Sequence, residues 1–332
     1  MIDSSDLLAD PLSDLLRLAG VQTAMTGQLN AQGPWSLAFP APQGLKLFAV
    51  VRGEAWLTLA GEAPRRLASG DLMLMHRGGA YVIGSDPALV PEDAMQRFAG
   101  VDPLRPVACI GDGSELTMIG GHVTLSEDCG GPMAGELPVC LHVRADEAEA
   151  PVLRWLLESL MRERGLQRPG HRLMAEQLTQ MLFVQMLRLH LSRGQSVDCG
   201  WLRAFGDARL QPAVRCMHEQ PGRAWTLEEL ASAAAMSRTA FAVRFKAQVG
   251  LAPLAYLSEW RMLLARRALR LEERPMAAWV GELGYASESA FSHAFKRVVG
   301  MSPAQYRLSS RQPLLPVMPQ PMPEPEPLRD AA

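Results

Sequence analysis

The sequence predicts an α+β chain of two domains, a β-barrel or sandwich with accessory helices followed by an all-helical unit carrying two helix-turn-helix repeats. Three observations predict it: short apolar runs broken by glycine turns in the first half, helical spacing from Pro151 onward, and a motif near residue 240 that recurs fifty residues later. At 332 residues and 48% hydrophobic content, the chain is long enough and apolar enough to bury two cores.

Residues 5–20 read as a short helix with Leu7, Leu8, Leu15, Leu16 and Leu18 on its apolar side, interrupted by Pro11. From Trp35 to about Val143 the texture is that of strands, at 45–51, 55–59, 72–75 and 81–83. Turns at Gly53-Glu54, Gly61-Glu62, Ser69-Gly70-Asp71 and Gly78-Gly79 separate them, a spacing that indicates a sandwich or barrel. Over 151–193, Leu153, Leu156, Leu157, Leu160 and Met161, then Leu178, Met181, Leu182, Met186 and Leu189, recur at helical intervals on either side of Gln167-Arg168-Pro169-Gly170. Those stripes supply either intramolecular core or a helix–helix contact in a homodimer. Residues 194–207 read as a linker. The last 22 residues, 311–332, hold seven prolines and read as a disordered tail.

The net charge of −2 conceals an asymmetry. Residues 1–207 carry 17 Lys/Arg against 24 Asp/Glu, residues 208–308 carry 14 against 8, and residues 309–332 carry 2 against 3. A module of net +6 joined to one of net −7 points to a polyanion as partner of the C-terminal part. The acidic start Met1-Ile2-Asp3-Ser4-Ser5-Asp6 lacks the basic and apolar regions of a signal peptide, and no run of ~18 apolar residues occurs. A soluble, cytoplasmic protein with no membrane partner is expected. Cys109, Cys129, Cys140, Cys199 and Cys216 are scattered without a CxxC pair, so neither a zinc ribbon nor a disulfide framework is indicated and buried, reduced thiols are expected.

The functional signal is the repeat. Ser237, Ala240, Phe241, Phe245, Lys246, Val249, Gly250, Pro253 and Tyr256 recur as Ser287, Ala290, Phe291, Phe295, Lys296, Val299, Gly300, Pro303 and Tyr306, nine identities at one offset of fifty. Each copy is punctuated as one helix, with a serine to cap its start and a glycine to end it. The phenylalanines four apart mark the buried side. The opposite side presents Thr239, Val243 and Lys246 in the first copy and Ser289, His293 and Lys296 in the second, a small, polar and basic face suited to phosphates and base edges. Ahead of the first copy, Thr226 to Ala234 opens with a capping box; ahead of the second, 276–283 plays the same part. Helix-turn-helix units are thus expected at about 226–249 and 275–299, joined by one longer helix over 253–271 that carries Arg261, Arg266, Arg267 and Arg270.

With these residues in view, 208–308 resembles the DNA-binding domain of the AraC/XylS family, most specifically in 284–297 and in Gly300-Met301-Ser302-Pro303-Ala304-Gln305-Tyr306-Arg307. The resemblance implies binding to double-stranded DNA in two adjacent major grooves, usually to activate transcription, with RNA polymerase as a further partner. It places DNA contacts at Arg238, Thr239, Ala242 and Val243 in the first helix, and at Glu288, Ser289, Ser292 and His293 in the second. Arg244, Lys246, Ser287 and Lys296 complete the expected set. Val243 stands where relatives often carry a long polar residue, so a thymine methyl is its expected contact, with Arg244 and Lys246 on phosphates.

Residues 8–193 resemble the cupin-like sensor domain of one branch of that family, through 10–16, Gly53-Glu54-Ala55-Trp56-Leu57 and 68–74. Metal-binding cupins offer a histidine pair on one strand. Here Lys46 lies in the first strand, Tyr81 stands where relatives often have His, His76 is alone and His122 is remote. No metal, no cofactor and no catalysis are therefore expected, and the barrel is expected to hold a small-molecule effector or to serve as a dimerisation platform. Trp56, His76 and Tyr81 are its candidate contacts. Two other readings stay open: a thiol-redox regulator acting through Cys109 or Cys129, and a cupin-type enzyme with a DNA-binding appendage.

Overall fold

The computed structural model describes residues 10–102, 106–126, 130, 133–147, 150–166, 168–193, 200–271 and 274–310. Residues 194–199 of the expected linker, the proline-rich tail, Cys129 and Cys199 lie outside the described residues. The rest of that stretch is not a linker, because Trp201, Leu202, Ala204 and Phe205 are buried on a short helix, Trp201–Gly206.

Eleven strands among the described residues form two sheets. The six-stranded sheet orders β11 (Cys140–Val143), β6 (Leu72–His76), β3 (Leu45–Arg52), β10 (Leu116–Thr124), β1 (Gln22–Ala31) and β9 (Val107–Ile110). The five-stranded sheet orders β5 (Arg65–Ala68), β4 (Glu54–Leu59), β7 (Tyr81–Gly84), β2 (Ser36–Phe39) and β8 (Glu92–Asp93). Leu29, Phe48, Val50, Met73, Met75 and Met118 of the first sheet meet Leu37, Leu57, Leu67, Tyr81 and Ile83 of the second in one core. The strand texture thus begins at Gln22, before the Trp35 start expected from sequence, because β1 is polar between its few buried positions and shows no apolar run.

Strand β3 is buried on both faces. Phe48 and Val50 point into the barrel, while Leu45, Leu47 and Ala49 point out against a helical layer. That is why its sequence is almost continuously apolar rather than alternating. The layer is the antiparallel pair α3 (Ala150–Leu166) and α4 (His171–Ser192), whose Leu153, Leu157, Leu182, Phe183 and Met186 join the outward side chains of the sheet. A small helix, α2 (Ala94–Phe98), lies beside β2.

The second core does not stop at the sensor half. It runs on through α1 (Pro11–Leu18) into α5 (Trp201–Gly206), α6 (Gln211–Glu219), α7 (Leu227–Ala233), α8 (Arg238–Val249), α9 (Pro253–Leu271), α10 (Glu288–Val299) and α11 (Pro303–Ser310). Pro11 starts α1 rather than interrupting it: it occupies the first turn, where a missing N–H costs nothing, behind the N-cap Asp10. Leu15 and Leu18 bury among α5, α6 and α9, each worth about 1.5–3 kcal/mol of apolar burial.

Polar groups are buried at the same seam. Asp14 sits 3.9 Å from Nδ1 of His218, whose Nε2 is 2.7 Å from the Tyr256 hydroxyl and whose ring stacks on Trp260. Burial pushes Asp14 up to about 7 and His218 down to about 3. The backbone N–H groups of Trp201 and Leu202 each donate to the Glu136 carboxylate at 2.7 Å, and Gly200 N–H donates to the Gln248 carbonyl of α8.

Candidate nucleic-acid interface

Helices α8 and α10 are each 12 residues long and are built alike. Ser237 Oγ accepts from Ala240 N–H and Ser287 Oγ from Ala290 N–H, at 3.3 and 3.2 Å. Gly250 and Gly300 end them with φ of 79° and 86°, a left-handed conformation that a side chain would strain. Phe241, Phe245, Phe291 and Phe295 are fully buried. With one side of each helix fixed in the core, the other side is forced outward.

That outward side is the one the sequence singles out. On α8, Arg238, Thr239, Val243 and Lys246 are exposed and Ala242 is half-buried; on α10, Glu288, Ser289, His293 and Lys296 are exposed, Ser287 is exposed at the cap, and Ser292 is half-buried. Val243 is 65% exposed, an apolar side chain held out into solvent by the helix register. Arg297, outside the sequence-derived set, is exposed one turn beyond His293; its place at i+4 is the signal that marks it.

Two of the basic residues already have partners. Arg244 is half-buried and its Nε–H donates to Asp207 at 2.8 Å, so it braces α8 against the turn before α6. Arg238 pairs with Glu228 of α7 at 2.9 Å, with both side chains largely exposed. In the connecting helix, Arg261 donates to the carbonyls of Pro221 and Arg223, which anchors α9 under the first unit.

The first unit has the expected helix ahead of α8, with Thr226 and Glu229 in a reciprocal capping box. The second does not. Residues 276–283 form two 3-10 turns, Met276–Ala278 and Gly281–Leu283, instead of one α-helix. Pro275 and Gly281 disfavour a continuous helix there, and Trp279 fills the space, edge-on to Phe291 at 5.4 Å.

In the barrel the three proposed effector contacts separate. Tyr81 points inside, stacked between Phe39 at 5.0 Å and Phe48 at 6.2 Å, and burial pushes its hydroxyl up to about 12. Trp56 alternates with the inward Ala55 and Leu57, so it faces outward. His76 is buried on the helical side of β6, with neither ring nitrogen partnered, and burial lowers its pKa. What the strands do bring together is Lys46, Thr26 and His122, on three adjacent strands. Among the described residues no group of three or more His, Cys, Asp or Glu is placed to hold a metal. Burial pushes the Cys140 thiol up to about 11 and raises that of Cys216, whereas Cys109 is exposed.

Comparison with known proteins gives two family matches: a cupin model over residues 10–192 and a helix-turn-helix domain model over residues 230–309. A putative AraC-like transcription regulator of Streptomyces antibioticus is 39% identical over 299 residues, covering 90% of this chain and 98% of that one. Its counterpart in Streptomyces lividans is 38% identical over 305 residues, 92% of this chain and all of that one. Among solved structures, the DNA-binding domain of AdpA in complex with a target DNA is 32% identical, covers 32% of this chain and 94% of that chain, and superposes with a TM-score of 0.30.

Proposed function

The chain belongs to the AraC-like transcription regulators, and from that membership we propose that α8 and α10 enter two successive major grooves of one DNA site under the control of an effector held by the barrel. The observation that carries this reading is the pair of helices with one buried pattern and two different polar faces. Equal scaffolds position the faces, and unequal faces read unequal half-sites. The rigid α9 between them, 19 residues and so about 28 Å long, is of the length needed to set two helices one DNA turn apart.

On this reading Lys246, Lys296 and Arg297 hold phosphates, Thr239, Ser289 and His293 reach base edges, and Val243 meets a thymine methyl. Ala242, Glu288 and Ser292 line the edges of the two faces, and Arg238 extends the first. The protein acts in the cytoplasm, with RNA polymerase as its downstream partner and no chemistry of its own in the barrel. No helix among the described residues is long and apolar enough to cross a membrane. A homodimer belongs to the proposal: Trp155, Leu173, Met174 and Met181 stand exposed on the α3–α4 pair, large apolar groups without cover in one chain.

The test is a salt titration of the full-length protein on its own upstream DNA and on a scrambled duplex of equal length. The whole chain is used because α1 and α5 share one core with the helix-turn-helix units, so a fragment would expose it. Tighter binding to the upstream DNA, weakening steeply with salt, is expected. Equal affinity for both duplexes would overturn the proposal.

A further inference from the structure

Across the inner face of the six-stranded sheet, register places Cys140, Met75, Lys46, His122 and Ala24 in one row on β11, β6, β3, β10 and β1. The next row inward is Met73, Phe48, Gly120 and Gly27. Two features of this corner are costly unless something is to be bound there. One is a lysine turned to the inner face of the barrel. Its Nζ donates to Thr26 Oγ1 at 3.2 Å and lies 3.4 Å from His122 Nε2, and its charge meets no carboxylate among the described residues; desolvation lowers its pKa to about 8. The other is a β-bulge between Met25 and Gly27, which leaves Thr26 without a cross-strand partner and lets its hydroxyl meet the lysine.

The neighbouring surface is apolar, with two glycines covered by their neighbours' side chains. Gly120 and Gly27 face each other across one strand spacing, about 4.8 Å. The Lys46 chain lies over Gly120, where a Cβ would stand 3.6 Å from its Cε and Nζ, and a Cβ on Gly27 would stand 3.7 Å from the Phe98 ring. Phe98 is tilted against Phe39, which continues the stack to Tyr81 and Phe48. Phe98 and Phe39 are only partly buried, and Thr26 and His122 are exposed at the rim, so the corner is open to solvent. The His122 ring is neutral at physiological pH: partial desolvation, and then the Lys46 charge, lower its pKa. Its Nε2 therefore accepts from the ammonium and leaves the positive charge on Lys46.

We propose that this mouth binds a small carboxylic acid with an apolar body, the carboxylate on Lys46 between Thr26 and His122 and the body against Phe98 and Phe39. The site deepens the reading of the barrel as the effector-holding half and rests on it. The acid supplies the counter-charge the strands omit, in a charge-assisted hydrogen bond. Its apolar body covers the partly exposed rings of Phe98 and Phe39.

The experiment uses the full-length protein, thermal melting and calorimetry, and four probes: benzoate, octanoate, benzamide and octanamide. At least one acid raises the melting temperature saturably, by about 5 °C at a hundred times its Kd, and the amide of the same body does not. Lys46→Met, checked as folded by its unliganded melt, loses about 10- to 100-fold in acid affinity, while Lys46→Arg retains part of it. Phe98→Ala keeps the lysine but removes apolar surface from under the body, and also weakens binding. Equal shifts by acid and amide, an undiminished response in Lys46→Met, or no heat and no shift with either acid would each overturn the site. Binding of the unliganded sample to its upstream DNA is measured alongside, so failure of the regulator reading shows in that assay and failure of the site in calorimetry.

Discussion

The second helices of the two helix-turn-helix units are copies on the side the core touches and differ over most of the side solvent touches. In both, the two phenylalanines lie 5.6 Å apart, and the second meets a tyrosine edge-on at 5.5 Å, Tyr256 in one and Tyr306 in the other. The outer faces share only a lysine: Arg238, Thr239, Val243 and Ala247 stand where the second has Glu288, Ser289, His293 and Arg297. Burial constrains shape and volume, so the inner positions hold still while the outer ones are free to take up different contacts. The units differ in their footing too. Gly200 bonds to α8, α5 packs against it, and Arg244 ties it to Asp207, so the segment that follows the sensor half grips the first unit directly.

The largest effect that tests this equivalence is the loss of a shared aromatic. Phe245→Ala and Phe295→Ala should each cost about 3–5 kcal/mol in urea unfolding, since each removes a fully buried ring. A clearly smaller cost at Phe295 would break the equivalence of the two cores. Arg244→Ala comes next: it leaves the nearly buried Asp207 carboxylate unpaired and should cost about 1–3 kcal/mol of stability. If Arg244 braces rather than binds, the salt slope of DNA binding stays unchanged, whereas a slope shallower by about one unit would make it a phosphate contact.

His293→Val gives the second helix the residue of the first at the same position. It should lose about 1–3 kcal/mol of discrimination at one or two base pairs, read by binding to single-substitution duplexes, with the salt slope intact. Lys296→Ala should do the reverse, weakening all sequences alike and flattening the slope by about one. Identical profiles for the two variants would dissolve the division between reading and holding contacts.

A pH-dependent effect is expected at the seam under the first unit. Unfolded, Asp14 and His218 together hold one proton between pH about 4 and 6.5; folded, the pair also holds one, because Asp14 is raised to about 7 and His218 lowered to about 3. The pair contributes no pH slope in that window. In Asp14→Asn the unfolded histidine still takes up its proton while the buried one does not. Stability should therefore fall as pH drops from about 6.5 toward 4, and melting curves at several pH values would show it. A flat profile in the variant would mean that His218 gains access to water.

Much of this was legible in the chain. The repeat, its serine caps, its terminal glycines and its buried phenylalanines fixed both recognition helices and their outer faces, because each is a local rule with a period of 3.6. The strands around Gly53, Gly61 and Gly70 were equally plain, since glycine turns are local. Strand β1 was not, because its buried positions are few and a bulge breaks its alternation. Nor were the 3-10 turns ahead of α10, because the place of that segment ahead of the second copy matches that of the helix ahead of the first. Of the barrel contacts only Tyr81 proved to point inward, since which face of a strand is inner depends on what the other sheet covers.

The sequence by itself determined the two-part architecture, the paired outward-facing helices and the residues they present. It did so because caps, turns and helical periods act over a few residues. Only the tertiary structure decided that Arg244 braces against Asp207, that one core runs from α1 into the recognition helices, and that Lys46 meets Thr26 and His122 at the mouth of the barrel. Those partners stand between 20 and 76 residues apart for the lysine cluster and 37 for the arginine. Such pairings follow from strand register and helix packing, which no local pattern encodes.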